Sequence, residues 1–293
     1  MLAGAAAASI VSDVRSAARS GDFVGAERLI EGYRKAGGAT SELALAVSWI
    51  GREALASKDY DRAEQYAGRA REMSLELLKK TSLGEDGRLR TALGASIEVQ
   101  GQVMAARGEL SEAIAFLNEE LERWRDTPIR ARIQKNINLL SLVGKPAPPL
   151  ELREHIGVNP PALAELKGKV VLLFFWAHWC PDCKMEAPVL GRLMEEYGKR
   201  GLVIIGPTKR YGFVAGGEDA TPEEELKYIG EVVRKYYAAA KGMTVPISGE
   251  TFANYGSSTT PTLVLVDRKG IVRLYHPGEM SYDELREAVE PLI

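Results

Sequence analysis

The stretch "KVVLLFFWAHWCPDCKMEAPVL", Lys169 to Leu190, decides how the second half of this 293-residue chain folds. Lys169 to Ala177 is a nearly unbroken apolar run, as expected of a strand buried on both faces. After it the pattern turns helical, with Pro181 suited to the first turn and Pro188 predicting a kink further in. Cys180 and Cys183, the only two cysteines of the chain, fall where strand meets helix.

Three chemistries compete for such a C-x-x-C pair. Zinc needs four ligands, and the three histidines (His155, His178 and His276) stand in no knuckle-like spacing, so no metal site is expected. Inert core cysteines do not suit the position, because the start of a helix after a central strand is expected at a surface edge. A dithiol–disulfide couple does suit it. The unpaired N–H groups and positive dipole end of a helix stabilise a thiolate, and the second sulfur lies one turn away.

Outward from this core, "LVIIG" (Leu202 to Gly206) is a second buried strand. A helix opens at Thr221 with Pro222 and acids in its first turn. Thr262–Asp267 and Ile271–His276 flank "RKG" as a hairpin, and a closing helix starts at Ser281. The expectation is an α/β domain with a mixed central sheet flanked by helices. Right-handed crossover makes the first two strands parallel, so their carboxyl ends share one edge, where open α/β folds place their chemistry.

The first half is different. From Ile10 to about Val143 apolar residues recur at three- and four-residue spacing, and Pro128 is the only proline. "GDFVGA" (Gly21 to Ala26), "KDYDRA" (Lys58 to Ala63) and "GELSEA" (Gly108 to Ala113) repeat a turn, an apolar residue and an alanine. Gly51 and Gly101 stand twelve positions before Ala63 and Ala113. This resembles the tetratricopeptide repeat, a helix–turn–helix unit that stacks into partner-binding surfaces; a plain helical bundle is the alternative. The prolines of "GKPAPPLEL" (Gly144 to Leu152) end the helical part, which divides the chain into an all-α domain, 1–143, and an α/β domain, 144–293.

A net charge of −2 with 45% hydrophobic residues gives no electrostatic case for nucleic acid. No run approaches the length of a membrane span. The opening "MLAGAAAASIV" reads either as the start of the first helix or as the remnant of a trimmed leader.

The second half also resembles the thioredoxin-fold family of TlpA, ResA and related periplasmic thiol–disulfide proteins. Gly168, Lys169, Phe175, Trp176, Ala177, Trp179, Cys180, Cys183, Glu186 and Pro188 match that family's pattern. "STTPTLVLVDRKGIV" matches its second signature, in which Thr260 precedes a cis proline, Pro261. The resemblance covers roughly 144–293 and none of the helical half. It implies a thiol–disulfide oxidoreductase that acts on protein thiols and disulfides, more as a reductase than an oxidant. It also implies an exported, periplasmic or extracytoplasmic location, the alternative being cytoplasmic. No bound cofactor is expected, since the two sulfurs carry the electrons; the electron donor is not legible. Two departures stand out: the segment after the second strand, "PTKRYGFVAGGEDATPEEE", is long, and Phe174 occupies the place of thioredoxin's buried aspartate.

Roles follow for single residues. Cys180, at the helix start, is the expected exposed nucleophile, and Cys183 the resolving thiol. By resemblance, Glu186 shuttles protons to Cys183 from one turn away, or else it only caps or pairs locally. Trp179, Pro181, Thr260 and Pro261 form the expected substrate contact, with Thr260 pairing to the substrate backbone. Asp182 and His178 are the tuning candidates, although a solvated side chain is the expectation for His178. Lys209, Arg210 and Tyr211 should line the same edge, as a solvated loop. Two other functions compete: a peroxiredoxin-like peroxidase, and a helical interaction module with an accessory redox domain that binds a protein partner or a second copy.

Overall fold

The computed structural model describes residues 9–293, so the reading of the first eight lies outside the described residues. The chain forms two compact units that divide between Asn136 and Ile137.

The first unit is a helical array: α1 (Ile10–Arg19), α2 (Phe23–Gly37), α3 (Ser41–Ala56), α4 (Tyr60–Leu77), α5 (Gly87–Ala106), α6 (Leu110–Arg123) and the start of α7 (Arg130–Ser141). The three repeated segments are the turns of three helix pairs. Each turn has one left-handed residue, at Gly21, Lys58 and Gly108 with φ 84°, 63° and 89°. An N-cap follows each, at Asp22, Asp59 and Glu109, and the first two accept the backbone N–H of Gly25 and Arg62. Each second helix then starts on the apolar residue of the motif, and its alanine, Ala26, Ala63 or Ala113, is fully buried. The small residues permit close approach. A Cβ on Gly51 would meet the backbone of Ala67 and Ala63 at 3.2 and 3.3 Å, and one on Gly101 would meet the Leu117 side chain at 2.9 Å. The connection from α4 to α5, residues 78–86, is anchored by buried Leu83.

The second unit is built on a four-stranded sheet in the order β3-β2-β5-β6. Here β2 is Val170–Phe175, β3 Leu202–Ile205, β5 Thr262–Val266 and β6 Val272–Pro277; β1 (His155–Ile156) pairs separately with β4 (Val245–Pro246). β2 and β3 are parallel, with Val170 opposite Leu202, whereas β5 runs antiparallel to both β2 and β6. All six residues of β2 are buried because both faces of the sheet are covered. Val170, Leu172 and Phe174 enter one core with residues of α8 (Pro181–Tyr197), α9 (Pro222–Tyr236) and α11 (Tyr282–Val289). Val171, Leu173 and Phe175 enter the other with Phe252 of α10 (Gly249–Asn254), Tyr255 and Tyr275. Each of these large side chains contributes about 1.5–3 kcal/mol by leaving water. Leu142 joins the second core, which is why the units divide inside α7, ahead of the prolines.

α8 runs through exposed Pro188 as one helix to Tyr197. The expected caps at Thr221 and Ser281 are present as full capping boxes with Glu224 and Glu284.

Candidate active site

β2 delivers Trp176, Ala177, His178 and Trp179 to the carboxyl edge of the sheet, and Cys180 is the N-cap of α8. Its Sγ accepts the backbone N–H of Cys183 at 3.2 Å and lies 2.6 Å from Cys183 Sγ; both are free thiols. The Thr260–Pro261 peptide is cis, and the Thr260 carbonyl is 3.4 Å from Cys180 Sγ. Trp179, 47% exposed, forms an apolar rim beside the pair.

The two sulfurs are electrostatically unequal. The Cys183 thiol and backbone N–H donate to Cys180, lowering its pKa to about 6 against burial and the Asp182 charge, which raise it. Burial, then the hydrogen bond and charge of Cys180, push Cys183 far above the usual thiol range. At neutral pH, Cys180 is a thiolate and Cys183 a thiol.

The expectation of an exposed Cys180 is corrected: it is only 2% exposed, because the Thr260–Pro261 loop comes over the helix start from eighty residues away. His178 is likewise not solvated but fully buried. Its Nε2–H donates to Glu225 Oε1 at 3.0 Å, and the edges of Tyr211, Phe213 and Tyr228 surround the ring at 5.3–5.5 Å. Burial lowers its pKa against the pull of Glu225, so the imidazole is neutral, and Nδ1 is left without a partner. A protonated imidazole therefore does not tune the thiolate.

Nor is the loop after β3 merely solvated. Tyr211 and Gly212 donate their backbone N–H to buried Glu225 at 2.6 and 2.9 Å. The Tyr211 ring meets Trp179 edge-on at 5.5 Å. Arg210 pairs with Glu154, and Lys209 sits over the rings of Tyr211 and Phe252. The extra segment is thus bound into the site by one carboxylate that accepts three donors.

Glu186, 3% exposed, accepts the Met280 backbone N–H at 3.3 Å, and burial raises its pKa to about 7. Phe174 is buried against Tyr237, whose hydroxyl donates to the Cys183 carbonyl at 2.9 Å. The charges of Cys183, Cys180 and Glu186 all act on Tyr237, behind burial, to raise its pKa. Sequence reasoning missed Glu225 and Tyr237. "TPEEEL" marked acids in a first turn, but nothing local shows which of them turns inward.

The described residues contain no cluster of His, Cys, Asp and Glu that could hold a metal ion. None of their helices is long and apolar enough to cross a membrane.

A model of the AhpC/TSA family matches residues 143–209, which include the strand, the cysteine pair and α8. The thiol:disulfide interchange protein DsbE of Pseudomonas aeruginosa is 31% identical over 156 residues, spanning 52% of this chain and 76% of that protein. This chain belongs to the family of thiol–disulfide interchange proteins. Another relative, the thiol-disulfide oxidoreductase ResA of Geobacillus thermodenitrificans, is 29% identical over 49% of this chain and 71% of that protein. A putative DsbE structure from Chlorobium tepidum is 27% identical, covers 51% of this chain and 96% of that one, and has a TM-score of 0.40. As in other thiol–disulfide interchange proteins, the second unit is a thioredoxin-like enzyme whose activity is exchange with protein thiols and disulfides.

Proposed function

We propose that the chain is a protein-disulfide reductase that uses Cys180 as nucleophile and Cys183 as resolving thiol, with no bound cofactor. The observation that carries this reading is the inequality of two sulfurs 2.6 Å apart, one with a thiol pKa of about 6 and the other held protonated. The Cys180 thiolate attacks one sulfur of a substrate disulfide. That S–S bond breaks, a mixed disulfide forms, and the second substrate sulfur leaves as a thiol after taking a proton. Once Cys180 is in the mixed disulfide its charge is gone, and two of the causes that kept Cys183 protonated go with it. Cys183 then ionises, attacks Cys180 and releases the first substrate sulfur. Glu186, with its pKa near neutrality, is suited to accept the Cys183 proton. Trp179, Pro181 and Thr260 offer the substrate an apolar rim and a backbone edge beside Pro261.

Direction is argued from the thiolate. A value of about 6 is nearer the roughly 7 of thioredoxin than the roughly 3.5 of DsbA, and a less stabilised thiolate makes a weaker oxidant. Asp182 adds to this. Work outside the cytoplasm suits the family, and the paired turns of the first unit suit a repeat array that recruits a partner. The peroxidase reading is disfavoured by the second thiol, which already occupies the space beside Cys180 Sγ.

Insulin reduction by the full chain with a small-thiol donor tests the proposal, with Cys180→Ser as the inactive control. The reduction potential, followed by Trp fluorescence in thiol buffers, should fall nearer about −270 mV than about −120 mV. Peroxide consumption exceeding disulfide reduction would replace the reductase by a peroxidase.

A further inference from the structure

The helices of the first unit carry a charged face unrelated to the thiols. On α3, Trp49 and Arg52 are one turn apart; the Arg52 guanidinium lies 3.8 Å from the Trp49 ring centroid, and Arg15 of α1 lies 4.0 Å from it. On α7, Arg132 and Lys135 are one turn apart and share Glu98 of α5, Arg132 Nε at 2.5 Å and Lys135 Nζ at 3.0 Å. The odd-numbered helices α1, α3, α5 and α7 thus bring Arg15, Arg52, Arg132 and Lys135 into one group. In it, Glu98 is bonded to Arg132 and Lys135 and acts on Arg52, and Arg15 shares the Trp49 ring with Arg52. Glu53, beside Arg52 on α3, is the other acid acting on the group.

The charges do not balance. Burial, then Arg132, pushes the Arg52 pKa down, and burial is opposed by Glu98 at Lys135, where Arg132 and Arg52 again act as like charges. Against burial, Arg132 and Lys135 hold Glu98 below the usual carboxylate range. Among the described residues, Arg52 and Arg15 make no hydrogen bond and no close ion pair; both stack on the Trp49 ring, and Glu98 and Glu53 act on Arg52 only from beyond bonding distance. Arg52, Arg132 and Lys135 are partly buried, with exposed Arg15 beside them, and they outnumber Glu98 and Glu53; a cation surplus drawn out of water is unfavourable without an anion to answer it.

We propose that this face is a docking site for an acidic segment of a partner protein, whose carboxylates pair with the free guanidinium forks of Arg52 and Arg15 across Trp49. A carboxylate matches the planar fork in a way that a single point charge does not. Glu98 and Glu53 would repel the continuous phosphate line of a nucleic acid, so a protein segment with spaced acids fits better.

The test uses the full chain and a fluorescein-labelled poly-glutamate peptide, with poly-lysine and oligothymidine of equal length as comparisons, read by anisotropy. Poly-glutamate should bind, and weaken between roughly 0.01 and 0.1 M salt as the screening length falls from about 30 to about 10 Å. Arg52→Met keeps apolar cover on Trp49 and should lower affinity about tenfold or more, the range for a charged hydrogen bond. It should leave insulin reduction unchanged, and the melting temperature equal or higher, because a repulsive charge is removed; Arg52→Gln should behave alike. No poly-glutamate binding at low salt, equal affinity in both variants, or tighter binding of oligothymidine overturns the proposal. A fall in melting temperature in both variants also overturns it, since Arg52 would then serve the fold.

Discussion

Glu186→Gln separates a proton-handling carboxyl from a merely buried one. Burial raises this carboxyl from its ordinary 4.5 to about 7. At about 1.36 kcal/mol per pKa step, holding it ionised above pH 7 costs the folded state on the order of 3 kcal/mol. The unfolded chain releases this proton near pH 4.5 and the native protein near 7, so between those values the native state holds more protons. The stability associated with Glu186 is therefore present below about pH 4.5 and lost as pH rises to about 7. Glutamine fills the same space without a charge. The variant should be more stable than wild type by roughly 3 kcal/mol in urea unfolding at pH 8, and by little or nothing at pH 4.5. Insulin reduction by the variant should be slower, and its pH profile should lack the inflection near 7. Parallel stability curves across this range would remove the raised pKa from the account. An unchanged pH–rate profile would remove the catalytic role even if the stability difference stood.

Alkylation by iodoacetamide should modify Cys180 with a rate that rises through about pH 6 and spare Cys183; in Cys183→Ala, which lacks the donating thiol, the midpoint should move up toward 9. A Cys180 midpoint near 9 in the wild type would contradict the electrostatic reading. Glu225→Ala leaves the donors of His178, Tyr211 and Gly212 unanswered in a buried site and should cost about 3–5 kcal/mol in denaturant unfolding. A loss below about 1 kcal/mol would mean that the loop is not held by this carboxylate. Lys58→Gly relieves a left-handed lysine at φ 63° and should stabilise the chain by about 0.5–1 kcal/mol, the left-handed penalty less the added chain entropy. A destabilised variant would show that the turn makes no such demand.

What the sequence determined alone is local. Pro181 after Cys180, the caps at Thr221 and Ser281, and the three turn segments fix elements whose hydrogen bonds close within four residues. The apolar run of β2 marks a strand by its own composition although its partners β3 and β5 are distant; each formed where it was read. The C-x-x-C spacing placed both sulfurs at a helix start, and the Thr260–Pro261 signature supplied the loop that faces them. Tertiary structure decided the surroundings. His178 is buried because α9 and the loop after β3, folding back over the sheet edge, bring Glu225 to it from forty-seven residues away. Cys183 is reached by Tyr237 from fifty-four residues away. Solvation and charge at these sites are sums over neighbours that have no fixed place in the chain. The sequence can therefore name the nucleophile, while its pKa, the partner of His178 and the burial of Glu186 exist only once the sheet and its helices have closed.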